Sequence, residues 1–208
     1  MPYFPDRLID GAGPYAGEYF ARMAAAAATI DPAAITAAGE LIARTVASAR
    51  RIYSCGNGGS AAIANHLVCD CLKGIRTDTA IRPRVYSLST TVETITAIVN
   101  DIGSEQMFSF QLESLGEAGD LLIAISSSGA SPNIVRTLEL ARTMGMGTIA
   151  MTGFAGAPAR HVADVSLHVD CENYGIVEDL HQSLMHILAQ YTRHTHLQEP
   201  EKLGALKF

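Results

Sequence analysis

The chain has 208 residues, of which 48% are hydrophobic and 17% charged, so it is long enough for one substantial core and one domain is expected. The formal net charge is -6 and no basic block occurs, so we expect no nucleic-acid partner. No apolar run is long enough to span a bilayer, and the opening residues lack the charged-then-apolar order of a signal peptide, so we expect a cytoplasmic protein without membrane contact.

Two helices are predicted ahead of the first strand. Residues 15–30 are alanine-rich and helical in character. Asp31 followed by Pro32 then provides an N-cap and a first-turn proline for a second helix that runs to about residue 50. We therefore expect residues 1–50 to form an N-terminal helical segment of a single domain that spans residues 1–208.

Five short apolar runs alternate with helical patterns in the rest of the chain. The runs cover residues 51–55, 84–88, 120–126, 147–152 and 165–170. Helices are predicted from Ser60, in the stretch up to residue 115, over residues 131–144 and from about Ile176. Strands rich in Val, Ile and Leu that are joined by crossover helices predict an α/β fold with a parallel sheet covered on both faces. Ligands of such sheets bind beyond the carboxyl ends of the strands.

The loop after the first predicted strand reads "GNGGS" over residues 56–60. Its glycines allow backbone amides to approach a ligand, and the helix that follows presents its positive N-terminus to an anion. Gly56, Gly58 and Ala61 also match a dinucleotide-binding pattern, but the second strand does not end in the acidic residue which that pattern needs. We therefore expect an anion site without a nucleotide. The alternative is a tight turn with no ligand.

The loop after the third predicted strand reads "SSSGASPN" over residues 126–133. Four serines surround a glycine at a helix start, which supplies hydroxyls and free amides together. No G-K-[ST] sequence is present to reach a β- or γ-phosphate, so a triphosphate is not expected. A serine-rich helix cap without a ligand is the alternative. Two such loops in one sheet favour a phosphomonoester.

Histidines and carboxylates recur at helical spacing behind these loops. His66 and Asp70 are four residues apart and share one helix face, and Glu178 and His186 lie on the final predicted helix. Histidine and carboxylate serve in proton abstraction beside a carbonyl and also as zinc ligands. The apolar neighbours of His66 and His186 predict partly buried rings. The other histidines of this region are expected to be packed or on the surface: His181, His194 and His196.

The stretches "GNGGSAAIANHL", "VND", "GDLLIAISSSGASPNIV" and "EDLHQSLMHIL" resemble the sugar isomerase (SIS) fold, specifically the phosphoheptose isomerase family. The resemblance covers nearly the whole chain. It implies a three-layer α/β/α sandwich with a five-stranded parallel sheet, and a homotetramer whose sites are shared between subunits. It also implies interconversion of sedoheptulose 7-phosphate and D-glycero-D-manno-heptose 7-phosphate through an enediol. The implied sugar-phosphate-binding residues are Asn57, Gly58, Gly59, Ser60, Asn100, Asp101, Ser126, Ser127, Ser128 and Ser131.

The same resemblance implies a catalytic pair, Asp70 and His186, and a zinc site. The metal ligands would be His66, Asp70, Glu178 and His186. Family members usually have glutamate where Asp70 stands and glutamine where Glu178 stands. Aspartate is shorter by about 1 Å, and misplacement on that scale costs about 100-fold in rate. Either the helix sits closer to the substrate, or a metal bridges the gap, or the isomerase activity is altered. The added carboxylate of Glu178 favours a divalent metal.

Two further interpretations remain beside the isomerase. A non-catalytic phosphosugar-binding protein would resemble the DnaA initiator-associating protein, which has this fold without the acid–base pair. The presence of His66, Asp70 and His186 favours an enzyme. The interpretation as a nicotinamide-dependent oxidoreductase rests only on the glycine match.

One further departure from the family concerns a charge. The family's arginine after the glycine of "LKGIR" is absent, and Lys73 or Arg76 would have to supply that charge.

Overall fold

The structure is a computed structural model that describes residues 3–208. One parallel sheet contains β1 (Arg51–Gly56), β2 (Arg84–Ser87), β3 (Leu121–Ser126), β4 (Gly147–Thr152) and β5 (Val165–His168). The strands lie side by side in the order β2-β1-β3-β4-β5, and every neighbouring pair is parallel. The predicted five-stranded sheet is confirmed, and each strand ends within two residues of its predicted bounds.

Eight α-helices surround the sheet: α1 (Ala12–Ala27), α2 (Pro32–Ala47), α3 (Gly59–Cys69), α4 (Val92–Asp101), α5 (Ser109–Leu115), α6 (Pro132–Thr143), α7 (Ala159–Val162) and α8 (Tyr174–Thr195) within residues 3–208. The predicted start of α2 is confirmed, because the Asp31 side chain accepts a hydrogen bond from the Ala33 amide at 2.9 Å and Pro32 is the first helical residue. None of the helices in the described part of the chain is long and apolar enough to cross a membrane.

Both faces of the sheet are covered. Successive side chains of β3 point to opposite faces, so Ile123 joins the core beneath α2, α3 and α8 while Leu122 joins the core beneath α5 and α6. All six residues of β3 are buried, as expected for a central strand between two helical layers. The predicted three-layer α/β/α sandwich is therefore confirmed.

The strand order reverses between β1 and β3. The chain goes from β1 to β2 on one side of the sheet and from β3 to β4 on the other. The loops after β1 and β3 therefore face each other across the crevice in which open α/β sheets bind ligands. These two loops are the "GNGGS" and "SSSGAS" stretches.

Two helices, α3 and α8, run from this crevice along the same face of the sheet. α3 follows β1 and α8 follows β5, so both begin at the carboxyl edge of the sheet, and they pack against each other. After α3 the chain continues into a π-helical turn over Asp70–Ile75, which also contacts α8. The sequence pattern did not indicate this turn. Such turns are frequent at functional sites because they change the direction of the side chains.

Candidate active site

The loop after β1 holds the first group of predicted phosphate-binding residues. Gly58 precedes α3 with a φ of 55°, in the left-handed region that favours glycine. A Cβ on Gly59 would collide with the carboxylate of Glu178, so this glycine allows α8 to approach the start of α3 closely. Ser60 is buried in the first turn, and Asn57 is half-buried. The positive N-terminus of an 11-residue helix therefore opens on the crevice.

The serine loop, residues 126–131, forms the facing wall. Ser126 accepts a hydrogen bond from the Gly129 amide at 3.2 Å, and its hydroxyl lies 3.5 Å from that of Ser131. Ser131 precedes α6 without a side-chain bond to the first-turn amides. The Ser127 hydroxyl is buried and has no hydrogen-bond partner within residues 3–208. Such an orphaned buried hydroxyl is unusual in a folded protein and requires an explanation.

His66, Asp70 and His186 converge in one cluster. The spacing of four residues predicted that His66 and Asp70 lie together, and the family resemblance implied His186. One Asp70 oxygen lies 2.6 Å from Nδ1 of His186, and the other lies 3.3 Å from Nε2 of His66. The two imidazole rings meet nearly at right angles, with centroids 5.1 Å apart. The Asp70 side chain is 18% exposed, whereas those of His66 and His186 are 47% and 41% exposed. The carboxylate is therefore shielded between two accessible rings, and His66 is more open than its apolar neighbours indicated.

The donor set of this cluster fits a divalent metal. One ligand atom from each of the three residues can be chosen so that all lie within 4.8 Å of one another. Two imidazole nitrogens and a carboxylate oxygen suit zinc, and three protein ligands with a position left open are the arrangement of catalytic zinc sites. The residues present therefore fit the metal that the resemblance implies.

Asp70 reaches His186 without an intervening group, although its side chain is shorter than the family's glutamate. The reason is backbone position, because the π-helical turn that begins at Asp70 packs directly against α8. The sequence left open whether the helix sits closer to the substrate, a metal bridges the gap or the activity is altered. The 2.6 Å contact shows that the shorter carboxylate reaches His186 directly, and the three explanations stay predictions.

Glu178 lies outside the three-residue cluster. It stands on the same face of α8 as His186, two turns earlier, but its carboxylate lies over Gly59 at the start of α3. Burial raises the pKa of Glu178, and the neighbouring Asp179 raises it further. Its role as a fourth metal ligand therefore stays a prediction.

One residue of this face was not singled out from the sequence. Gln182 lies midway between Glu178 and His186 on α8, and its amide nitrogen is 2.9 Å from Nε2 of His186. The spacing of four residues on a helix was the available signal. Glutamine has no titratable group, so a pattern of acids and bases does not include it.

A cavity of about 270 Å³ adjoins the cluster along the groove between the π-helical turn and α8. Asp70 and His186 line it together with Lys73, Arg193 and Phe208. Lys73 and Arg76 were the two cations expected to replace the family's arginine. Of these two, Lys73 lines this cavity. Phe208 belongs to a C-terminal segment for which the sequence supported no prediction.

Asn100 and Asp101 are not brought to the cluster within this chain. They lie at the exposed end of α4, where the Asn100 amide donates to the Asp101 carboxylate at 2.6 Å. Within residues 3–208, neither has a hydrogen bond to the cluster.

Asn133 was not predicted from the sequence to be part of the site. It reaches the loop after β1, where its side-chain amide pairs with that of Asn57.

The family model of the SIS domain matches residues 15–153. The chain thus belongs to the SIS domain family, in agreement with the strand order and with the two facing loops. The structure is similar to that of a phosphoheptose isomerase from Neisseria gonorrhoeae, with a TM-score of 0.80, 30% identity and coverage of 88% of this chain and 98% of the other. A phosphoheptose isomerase structure from Francisella tularensis gives a TM-score of 0.81 at 29% identity, with the same coverage of both chains.

Sequence comparison defines the family more narrowly. The phosphoheptose isomerase of Nitratidesulfovibrio vulgaris strain Miyazaki F is 40% identical over 155 residues, which cover 74% of this chain and 73% of that protein. The phosphoheptose isomerase of Akkermansia muciniphila is 38% identical over 148 residues, which cover 70% of this chain and 77% of that protein. The chain is therefore a member of the phosphoheptose isomerase family.

Proposed function

We propose that this chain interconverts sedoheptulose 7-phosphate and D-glycero-D-manno-heptose 7-phosphate. The observation that carries the proposal is the Asp70 carboxylate held between two imidazoles, on helices that begin at the crevice formed by the two anion-type loops. Membership in the phosphoheptose isomerase family supports the choice of substrate. Residues 1–208 act in this proposal as a single SIS domain, with residues 1–50 as its N-terminal helical segment.

The phosphate anchors the substrate in the crevice. Ser126, Ser127, Ser128 and Ser131 bind its oxygens from one side, and Asn57, Gly58, Gly59 and Ser60 bind from the other. Asn100 and Asp101 contact the sugar. Binding energy gathered far from the reacting carbons holds the sugar chain in the orientation that proton transfer requires.

Asp70 and His186 carry out the proton transfers. From the ketose, the base removes a proton from C1. The electron pair of the broken C–H bond then forms the C1–C2 double bond, and the carbonyl oxygen O2 takes up a proton. The resulting enediol gains a proton at C2 and loses one from O1, which gives the aldose. The 2.6 Å contact between the two side chains allows a proton to pass from one to the other.

The metal in this proposal is zinc, held by His66, Asp70 and His186 with Glu178 as a fourth ligand. When bound, zinc would polarise the sugar carbonyl. Asp70 would then serve both as a ligand and in proton transfer. A nucleotide has no part in this function.

The non-catalytic alternative is not favoured. The acid–base pair is present and in contact, and the similar proteins reported above are named phosphoheptose isomerases.

We further propose a cytoplasmic homotetramer with shared sites. Large exposed apolar side chains on α4 and α5, including Val92, Val99 and Phe110, support an association between copies, which light scattering after size-exclusion chromatography tests.

The test of the function is conversion of sedoheptulose 7-phosphate by the purified protein, with aldose and ketose resolved by chromatography. The protein is assayed after metal removal and again after zinc is restored. We expect turnover that depends on zinc and that is lost in both Asp70→Asn and His186→Ala. Full turnover in both variants would disprove the assigned mechanism, and no turnover by the wild-type protein would disprove the function.

A further inference from the structure

The cavity beside the catalytic pair extends away from the two anion-type loops. α3 and α8 both begin at the crevice, and the pair lies at the end of α3 and in the middle of α8. The cavity continues along the second half of α8, where Gln190 and Arg193 follow His186. A sugar whose phosphate lies in the crevice and whose carbonyl lies at the pair therefore points its reacting end into this cavity.

The segment of residues 197–208 supplies one wall of the cavity. It is attached to the turn that follows the π-helical turn, because the Gln198 amide donates to the backbone oxygen of Asp78 at 3.0 Å. The segment then returns to α8, and Phe208 lines the cavity together with the catalytic pair. An aromatic ring from the end of the described chain thus lies beside the residues that we propose to transfer protons.

Arg193 holds the Phe208 ring in this position. Its guanidinium carbon lies 4.5 Å from the ring centroid, within the range of a cation–π contact. The guanidinium also donates to the Lys207 backbone oxygen at 2.8 Å and to the Asp78 carboxylate at 2.6 Å, and the Arg193 side chain is only 7% exposed. Phe208 itself is 49% exposed. The ring is therefore fixed by contacts within the chain and still has apolar surface for a ligand to cover.

We propose that Phe208 is a substrate-binding residue, whose ring packs against the reacting end of the sugar in this cavity. The inference rests on the proposed function. The face of a phenyl ring suits the C–H groups of a sugar, whereas the sugar hydroxyls need polar partners. Lys73 and Gln190 line the same cavity and supply such partners. An aromatic surface combined with a few polar groups is typical of small-molecule sites.

Kinetics of Phe208→Ala test this role. The ring would contact the sugar in the ground state and in the transition state alike, so its removal should raise KM for sedoheptulose 7-phosphate about 5- to 10-fold with kcat nearly unchanged. Phe208→Leu, which keeps an apolar wall without the ring, should give an intermediate KM. Leu203→Ala is the matched control and should keep the wild-type KM, because Leu203 belongs to the same segment, is exposed and lies outside the described lining of the cavity.

A second measurement does not depend on turnover. The chain contains no tryptophan, so Phe208→Trp introduces a single indole at the cavity and Leu203→Trp introduces one outside it. We expect sedoheptulose 7-phosphate to shift the emission of Phe208→Trp to shorter wavelength and to reduce its quenching by acrylamide. Inorganic phosphate, which occupies only the crevice, should leave that emission unchanged. Neither ligand should affect Leu203→Trp.

The outcomes separate this inference from the proposed function. An unchanged KM in Phe208→Ala, or an equal rise in Leu203→Ala, would overturn the role of the ring while the isomerase stands. An equal response of Phe208→Trp to inorganic phosphate would also overturn it. A wild-type protein without turnover would overturn the proposed function. A response of Phe208→Trp to the sugar phosphate alone would then still establish that Phe208 contacts the sugar.

Discussion

The side-chain amides of Asn57 and Asn133 bind each other twice. Asn57 donates to the oxygen of Asn133 at 3.0 Å, and Asn133 donates to that of Asn57 at 2.9 Å. The pair joins the loop after β1 to the start of α6, where the strand order reverses. The two loops that we propose to bind phosphate are therefore fixed relative to each other before any ligand arrives, which lowers the entropic cost of binding.

Removal of one partner of this pair should destabilise the fold. In Asn57→Ala the NH2 group of Asn133, a residue that is 8% exposed, loses its hydrogen-bond partner, while the Asn133 oxygen keeps the Ile134 amide, so we expect the free energy of unfolding to fall by about 1–3 kcal/mol. Urea denaturation measures this. The double variant Asn57→Ala/Asn133→Ala should lose less than the sum of the single losses, because it leaves no unpaired amide. Strictly additive losses would contradict the coupling.

Ser127→Ala should weaken substrate binding without lowering the stability of the fold. The hydroxyl is buried without a partner in the described chain, so its removal should leave the free energy of unfolding unchanged or raise it slightly. If the hydroxyl binds phosphate, KM for the sugar phosphate should rise about tenfold, since one hydrogen bond to a charged group contributes about 1.5–3 kcal/mol. A variant that loses stability while KM stays constant would contradict this prediction.

Asp70→Glu should lower activity although it restores the family's usual residue. The 2.6 Å contact with His186 is made by the shorter side chain, so an extra methylene must push the ring or turn the carboxylate away. A displacement of about 1 Å predicts a loss of kcat of up to about 100-fold. Steady-state kinetics test this, and Asp10→Glu, an exposed change near the start of the chain, controls for the added length. Higher activity in Asp70→Glu would show that the closer backbone is not an adaptation to aspartate.

His181 should make the protein sensitive to acid. This side chain of α8 is fully buried, and neither ring nitrogen has a hydrogen-bond partner within residues 3–208. Burial lowers the pKa of His181 from 6.5 to about 4, and the nearby Thr152 backbone offsets only part of that effect. As pH falls, the unfolded chain therefore takes up the proton first, and the free energy of unfolding should decrease between about pH 7 and pH 4, by about 3 kcal/mol.

The variant His181→Leu isolates this contribution. Burial also lowers the pKa of His168, so the wild-type pH dependence contains more than one histidine. Urea denaturation of His181→Leu from pH 7 to pH 4 should show a weaker decrease than the wild type. His194→Gln, an exposed change on the same helix, should keep the wild-type decrease. Equal decreases in all three proteins would exclude His181 as the cause.

Arg193 should hold the C-terminal segment in place. Its side chain is 7% exposed and donates to the Thr77 and Lys207 backbone oxygens and to the Asp78 carboxylate, while its guanidinium lies 4.5 Å from the Phe208 ring centroid. Arg193→Leu removes three hydrogen bonds from a charged group, so we expect a loss of about 2 kcal/mol or more. Hydrogen exchange should accelerate in residues 199–208. An unchanged exchange rate there would contradict the role of Arg193.

Several features of the fold and site were predictable from local sequence. The strand runs, the Asp31 cap and the phosphate-type loops are encoded within a few residues, because apolar alternation, capping and glycine content act over short distances. His66 and Asp70 were also predictable, since both lie at the end of one helix with a spacing of four residues. The pairing with His186 followed only from the family resemblance, since 116 residues separate it from Asp70.

The parts of the site are readable from the amino-acid sequence: two anion-type loops, a carboxylate and its histidines, all on an α/β scaffold. Their relative positions depend on the packing of the folded chain. It placed Asp70 against His186, set Gln182 at the second ring nitrogen, joined Asn57 to Asn133 and buried His181 with no hydrogen-bond partner in the described part of the chain. The physical reason is that hydrogen bonds and desolvation depend on distances of a few tenths of an ångström. Those distances are set by the packing of helices that are far apart in the chain.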